Sequence, residues 1–380
     1  MRSHDSQKYE LAQALEASSS TKLMRDPALR VVVATVVHHP EDARIRHRQI
    51  RTLLDAGHDV TYIAPAGDRT YDPRLRRIIV PRAQGRSRLR ALRAVKRALR
   101  DASQHADVTV VHDPELLLTA RAISGPRIWD VHEDVIAQVG EKSYVPALLT
   151  PLVRAGFRVL IRMGSKSFDL LIAERAYAER HPEATLVRNT VRLSLDPPPP
   201  QAGRAVYLGR ISAGRGLATL NAVAEQLSAD IVLEVIGPTD PSLSVSPKAR
   251  ATGFLPNNEA LRRLAGATAG LSLLQNLPNY RISMPTKILE YLGNGVPVIT
   301  TPLPEAVSIV ERHSCGVIVP FDDPTAVIDA IGALNEDSDL RARLARNGYA
   351  AVRECYNWAQ DERPFLEAVS NVARRGPMTR

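Results

Sequence analysis

The chain alternates short apolar strands with helices, and this order restricts its fold more than any other feature. In the first half, RVVVATVV (Arg30–Val37) predicts a buried strand, EDARIRHRQIRTLLDAG (Glu41–Gly57) a helix closed by glycine, and DVTYIAP (Asp59–Pro65) the next strand. The alternation continues to about residue 190. Strands joined by helices in this way run parallel, so we expect a parallel sheet covered on both faces.

A proline-rich stretch, LSLDPPPPQAG (Leu193–Gly203), divides the chain, and the strand–helix pattern restarts after it. A length of 380 residues also exceeds what one hydrophobic core usually serves. The sequence therefore predicts an α/β protein with two Rossmann-like, doubly wound domains. The expected division is a polar tail over 1–28, a first domain over 29–192, a linker over 193–203 and a second domain over 204–355. Ligands of such sheets bind beyond the carboxyl ends of the strands, so the cleft between the domains is the expected site.

Composition excludes several protein classes. Hydrophobic residues make up 44% of the chain and charged residues 24%, which is typical of a globular protein. No apolar run approaches the roughly 18–20 residues that cross a bilayer, and the first residues lack the apolar centre of a signal peptide. The two cysteines, Cys315 and Cys355, have neither metal-ligand spacing nor a disulfide pattern. We therefore expect a cytoplasmic protein.

The formal net charge of +9 is concentrated in one segment, Arg82–Arg100, which carries eight basic residues and no acidic one. Such a segment binds anionic lipid or is simply a solvated helix face, and both interpretations stay open. Nucleic acid is disfavoured because aromatic residues are only 4% of the chain and none lies among these arginines.

Two sequences in the second half suggest an anion site. In YLGRISAGRGLATL, Arg210 and Arg215 flank a strand-to-helix turn, where two guanidinium groups oppose the helix dipole unless an anion lies between them. In MPTKILEYLGNGV, Lys287 lies in the first turn of a helix, where a cation is equally unfavourable. The alternatives are an exposed loop for the arginines and an i,i+3 ion pair between Lys287 and Glu290.

These motifs resemble glycosyltransferase family 4, whose members are retaining enzymes of the GT-B fold that use nucleotide-activated sugars. The resemblance covers roughly Arg30 to the C-terminus. HDPELL (His112–Leu117) and WDVHED (Trp129–Asp134) are similar to a bacterial subgroup that builds surface polysaccharides or decorates metabolites. The resemblance also implies that the last helix, within 356–380, crosses back onto the first domain. Asn189 in LVRNTV matches an asparagine of the family.

The resemblance assigns roles to residues of both halves. It implies a catalytic group that stabilises the departing diphosphate, a donor-binding group in which Glu290 holds the ribose hydroxyls, and an acceptor-side group. The catalytic residues are Arg210, Arg215, Lys287 and His132; the donor-binding residues are Gly209, Gly214, Gly216, Ser283, Met284, Pro285, Thr286 and Glu290; the acceptor-side residues are His38, His39, Asp42, Arg44 and Glu133. The resemblance implies a nucleoside-diphosphate sugar donor and a hydroxyl acceptor. A UDP-sugar is the preferred donor because uridine is frequent in the family, and a GDP-sugar is the next choice.

The chain departs from the family at Ile282, which stands where a glutamate usually helps to hold the donor sugar. The resemblance implies no cofactor, no metal and no protein base, because the leaving diphosphate can accept the acceptor's proton. Asp323 is expected to cap the helix that Pro324 begins, and Asp113 the helix after Pro114. Two alternatives to a transferase stay open: a nucleotide-sugar epimerase of the 2-epimerase kind, using Glu133, Asp134 or Glu305, and a degenerate sugar-nucleotide binding protein.

Overall fold

The computed structural model describes residues 27–67, 71–131, 150–179, 181–193, 196–240 and 242–376. Two parallel sheets dominate it, and every strand pairing in them is parallel. The first has the order β3-β2-β1-β4-β5-β6-β7 and the second the order β10-β9-β8-β11-β12-β13. The predicted pair of parallel α/β domains is therefore confirmed.

The first sheet lies within residues 30–186. Its strands are β1 Arg30–Ala34, β2 Asp59–Ala64, β3 Leu75–Ile79, β4 Val108–Val111, β5 Arg127–Val131, β6 Asp169–Ile172 and β7 Thr185–Leu186. Its helices are a π-helical segment Ala43–Ile50 that runs into α1 Arg51–Asp55, α2 Arg88–Ser103, a 3₁₀ helix Pro114–Ala122 and α3 Thr150–Ser165. The side chain of Asp42 caps the π-helical segment by accepting hydrogen bonds from the N–H groups of Arg44 and Ile45.

The second sheet lies within residues 204–318. Its strands are β8 Arg204–Leu208, β9 Val232–Ile236, β10 Arg250–Gly253, β11 Ala269–Ser272, β12 Val298–Thr300 and β13 Gly316–Ile318. The helices around it are α4 Leu217–Gln226, α5 Asn257–Arg262, α6 Pro278–Arg281, α7 Thr286–Gly293, α8 Pro304–His313, α9 Pro324–Glu336 and α10 Ser338–Cys355. Asp323 caps α9 as predicted, because its carboxylate accepts a hydrogen bond from the N–H of Ala326 at 2.9 Å.

The last helix, α11 (Trp358–Arg375), follows the second domain in sequence but packs on the first sheet. Trp358, Phe365 and Val369 are fully buried in the same core cluster as Val31 and Val33 of β1. The chain therefore passes between the domains twice, and an isolated parallel bridge between Val191 and Asn357 joins the two crossings.

Candidate active site

Loops that follow the carboxyl ends of the strands bring the two domains into contact. The ring of His39, after β1, lies 4.8 Å from the ring of Phe254, after β10. The carboxylate of Glu174, after β6, accepts a hydrogen bond of 2.9 Å from the N–H of Met284. Parallel α/β sheets bind ligands at these strand ends, so this junction is the candidate active site.

The loop after β8 can be formed only with glycine at its end. Gly216 has φ of +84°, and a Cβ at this position would lie 2.1 Å from the carbonyl oxygen of Leu273. A Cβ on Gly214 would lie 2.9 Å from a methyl group of Leu277. Both glycines let the loop pack against the segment after β11, and this packing places Arg215 directly ahead of α4.

The two arginines of this loop have different surroundings. Arg210 Nε donates a hydrogen bond of 2.5 Å to Asp240, and 63% of the Arg210 side chain is exposed. Burial lowers the pKa of Lys287, and the charge of the nearby Arg215 lowers it further. Burial raises the pKa of Tyr207, and the charge of Arg215 opposes that rise. The structure therefore places two cations, Arg215 and Lys287, near each other, whereas the charge of Arg210 is balanced by Asp240.

Lys287 is the most unusual charged residue of the site. It is 8% exposed, and its Nζ has no hydrogen-bond partner within the described part of the chain. The Nζ atom lies 3.9 Å from the centroid of the Tyr207 ring. Burial, and then the charge of Arg215, push the pKa of Lys287 well below its usual range. Burying an ammonium group without a hydrogen-bond partner is costly, so the site is suited to an anion that would accept a hydrogen bond from Lys287 beside Arg215.

Glu290, one turn after Lys287, turns toward the first domain. Its nearest opposite charge is Arg48, whose Nη2 lies 3.8 Å from Oε1 of Glu290. Burial raises the pKa of the carboxyl, and the charges of Arg48 and Lys287 act against this rise. The i,i+3 ion pair that was the alternative for Lys287 is not formed between these two described side chains.

The segment before α7 presents main-chain groups to the junction. Pro285 is the N-cap and not the first helical residue, so α7 begins at Thr286. The hydroxyl of Ser283 donates a hydrogen bond to the carbonyl of Asn279 at 2.7 Å. The N–H of Met284 is occupied by Glu174, and burial raises the pKa of that carboxyl to about 7. Sequence analysis missed Glu174 because no motif marks it.

The acceptor-side histidine His38 is fixed by two acids. Its Nε2 lies 3.3 Å from Asp113 and its Nδ1 lies 3.9 Å from Asp42. Asp113 is fully buried. Its carboxylate also accepts hydrogen bonds from the hydroxyl of Thr35 and from the N–H groups of Val36 and Val37. The prediction that Asp113 caps the helix after Pro114 is wrong for its side chain, which binds the loop after β1 instead.

Arg44 lies in an internal network and not on the cleft surface. It is 2% exposed, and its guanidinium donates to both oxygens of the fully buried Asp130, at 2.8 and 2.7 Å. A further hydrogen bond goes to the carbonyl of Val187, and Gln49 also donates to Asp130. Arg44 Nη1 also donates to the carbonyl of Arg188. These bonds hold Arg44 inside the first domain, and its acceptor-side role stays a prediction. His132 and Glu133 lie outside the described residues.

The basic segment Arg82–Arg100 forms much of α2. Its buried residues Ala91, Val95 and Leu99 face the first sheet, and its opposite face is exposed. The exposed basic residues are Arg82 in the loop before α2, and Arg90, Arg93, Lys96, Arg97 and Arg100 in α2 itself. Leu89 adds an exposed apolar side chain to this face. We call this set the α2 basic face.

The described residues hold no group of three or more histidine, cysteine or acidic side chains arranged for a metal ion. In the same ranges, every helix is too short or too polar to span a bilayer.

Sequence comparison finds relatives over part of the chain. Residues 202–337 match the family described as glycosyl transferases group 1. TuaC of Bacillus subtilis (strain 168), named as a teichuronic acid biosynthesis glycosyltransferase, is 27% identical over 171 residues, which cover 45% of this chain and 42% of TuaC. The chain spans less than half the length of the curated relatives it matches.

Solved structures extend the likeness to both domains. Sucrose-phosphate synthase from Thermosynechococcus elongatus superposes with a TM-score of 0.71 at 16% identity, over 91% of this chain and 100% of the other. Anabaena HepE in complex with UDP-glucose superposes with a TM-score of 0.67 at 14% identity, over 90% and 100%. The predicted GT-B fold is therefore confirmed. The match over residues 202–337 supports the predicted enzyme class, a glycosyltransferase, while membership of family 4 stays a prediction.

Proposed function

We propose that this protein transfers a sugar from a nucleoside-diphosphate donor to a hydroxyl acceptor. The observation that carries the proposal is Lys287, a buried cation beside Arg215 whose Nζ finds no hydrogen-bond partner in the described residues. A diphosphate beside Lys287 and Arg215 would supply the acceptor that Lys287 lacks among the described residues, since charge-assisted hydrogen bonds to an oxyanion are the strong ones. The ribose hydroxyls would bind Glu290, and the glycine loop 209–216 and segment 283–286 would enclose the diphosphate and sugar.

In the proposed reaction, the bond between the sugar's anomeric carbon and the diphosphate oxygen breaks, and a bond to the acceptor oxygen forms. The diphosphate leaves with the electron pair, and Lys287 and Arg215 stabilise its growing charge. The acceptor's proton passes to a diphosphate oxygen on the same face of the sugar, so the anomeric configuration is retained. Removing one such stabilising donor typically slows an enzyme about 10²–10³-fold. No cofactor or metal takes part, so we expect the rate to be unchanged by a chelator.

We propose a UDP-sugar as donor, by analogy with the HepE structure, which contains UDP-glucose. The test is to incubate the purified protein with UDP-, GDP- and TDP-sugars and follow release of the nucleoside diphosphate, using water or simple sugars as acceptors. Release that falls at least 100-fold in Lys287→Met supports the proposal. An isomerised sugar nucleotide would instead indicate the epimerase. Tight binding with no product from any donor would indicate a degenerate binding protein.

We further propose that the α2 basic face docks on an anionic membrane, where the acceptor of a polysaccharide or glycolipid pathway would be found. The exposed arginines and Lys96 complement a negative surface, and each basic residue near such a surface contributes about 1 kcal/mol. Leu89 can enter the headgroup region beside them. The protein would then work at the inner face of the cytoplasmic membrane.

Co-sedimentation with vesicles tests this docking. Vesicles of phosphatidylcholine with 30% phosphatidylglycerol, roughly the anionic content at which surface attraction is strong, should pellet the protein at low salt and release it at high salt. The variant Arg93→Glu/Arg97→Glu should stay in the supernatant. Arg343→Glu/Arg346→Glu makes the same charge change at exposed positions of α10 and should still pellet. Equal pelleting of both variants, or binding to pure phosphatidylcholine, would contradict the proposal.

A further inference from the structure

Arg48 is a buried cation that the first domain extends toward the second. It lies in the π-helical segment and is 5% exposed. Its Nη1 donates a hydrogen bond to the side-chain oxygen of Asn189, and its Nη2 lies 3.8 Å from Oε1 of Glu290 in α7. Arg48 is thus the first-domain residue that stands against the carboxylate expected to hold the ribose.

The charges around the pair show what Arg48 does. Burial lowers the pKa of Arg48 to about 10, so it remains a cation at neutral pH. Glu290 and Asp42 are the negative groups that face it, and Arg44 and Arg192 the positive ones.

Burial raises the pKa of Glu290, the charge of Asp42 raises it further, and Arg48 and then Lys287 lower it. Of the two cations, Arg48 has the larger effect, and it comes from the other domain.

The distance of 3.8 Å between Arg48 and Glu290 leaves the carboxylate oxygens free to bind a ribose. A bidentate arginine–carboxylate pair would use the oxygen lone pairs of Glu290 that two ribose hydroxyls need. At 3.8 Å the guanidinium supplies charge without a direct hydrogen bond, so both carboxylate oxygens stay available.

We propose that Arg48 is a positioning residue that keeps Glu290 ionised for the nucleotide's ribose, so that the first domain completes the nucleotide site of the second. This inference rests on the proposed function and adds a residue that no motif identifies. It implies that nucleotide affinity depends on how the two domains are placed, because the counter-charge of Glu290 is not on its own domain.

The test compares Arg48→Gln with Arg48→Lys in calorimetric titrations at pH 6 and pH 8. The nucleotide is whichever of UDP, GDP, TDP and ADP binds the wild-type protein, and pyrophosphate serves as a ligand without ribose. In Arg48→Gln the pKa of Glu290 rises further, so its carboxyl protonates earlier as the pH falls. Nucleotide affinity should then drop by up to about tenfold per pH unit relative to wild type. Pyrophosphate binding should not change in this way, and Arg48→Lys should largely restore the wild-type profile.

A double variant that also carries Glu290→Gln distinguishes a positioning role of Arg48 from a structural one. In Glu290→Gln no carboxyl titrates, so adding Arg48→Gln should leave the pH profile of nucleotide binding unchanged. Equal weakening of nucleotide and pyrophosphate at both pH values would show that Arg48 only supports the fold and would overturn the inference. Binding of a nucleotide with an unaltered profile in Arg48→Gln would overturn the inference alone. Failure of every nucleotide to bind the wild-type protein would remove the proposed function itself.

Discussion

Replacing Lys287 with methionine should weaken ligand binding without lowering the stability of the free protein. Methionine has a similar length, so it fills the space beside Tyr207 without a charge. In the free protein it removes a buried lysine head group that has no hydrogen-bond partner among the described residues, and replacing buried charges with apolar groups is often neutral or stabilising. The lost contact with the Tyr207 ring, worth up to about 2 kcal/mol when desolvated, offsets part of this gain. We therefore expect the melting temperature of the free variant to be unchanged or higher.

In the presence of ligand, the wild-type protein should be stabilised more than Lys287→Met. A nucleoside diphosphate at 100 times its Kd stabilises the wild-type protein by about 2.7 kcal/mol. A hydrogen bond to a charged group contributes roughly 1.5–3 kcal/mol, so its loss raises the Kd about 13- to 160-fold. At the same ligand concentration the stabilisation of the variant falls to between about 1.3 and 0.3 kcal/mol.

The assay is a thermal shift with and without UDP, and Lys248→Met is the matched control. Lys248 is an exposed lysine of the same domain that pairs with Glu225, so its replacement should leave the UDP shift intact. A Lys287→Met protein that melts well below wild type when free, yet keeps the full UDP shift, would refute the reasoning. Lys287 would then be a structural residue whose cost of burial is met by its surroundings.

Two further predictions follow from the same loops. Gly216→Ala should lower the free energy of unfolding by about 2 kcal/mol or more and abolish nucleotide binding, because the backbone is left-handed there and the added Cβ would meet the carbonyl of Leu273. The control in the same melting experiment is Gly332→Ala, which lies in a helix with open space around it and should be neutral or stabilising. Burial raises the pKa of Glu174 to about 7, so between about pH 4.5 and 7 the folded state binds more protons than the unfolded state and this group's contribution to stability falls as pH rises. The melting temperature of Glu174→Gln relative to wild type should therefore be higher at pH 8 than at pH 5. The same difference in melting temperature at both pH values would contradict this assignment.

The sequence predicts the centre of each sheet and misses an edge strand of each. β1 and β4 are nearly continuous apolar runs because both their faces are covered, and such runs are easily recognised. β3 and β10 are the outer strands of their sheets, with exposed positions in LRRII and RATG. Their pairing with β2 and β9 outweighs their composition, which a search for apolar runs cannot detect.

The candidate site shows the same division. Lys287 and Arg215 can be found from the sequence because each opposes the dipole of its own helix, which is a local signal. Arg48 and Glu174 carry no local signal, since their importance comes from a partner in the other domain. Asp113 shows how a local rule fails: its position suits an N-cap, but the loop after β1 offers its carboxylate more donors.

A crystal structure of the protein with the nucleoside diphosphate that shifts its melting most would test the central claim directly. We predict that the diphosphate lies within hydrogen-bond distance of Lys287 Nζ and the Arg215 guanidinium, with both ribose hydroxyls on Glu290. A nucleotide bound elsewhere, or one that leaves Lys287 against the Tyr207 ring without a phosphate oxygen, would contradict the account.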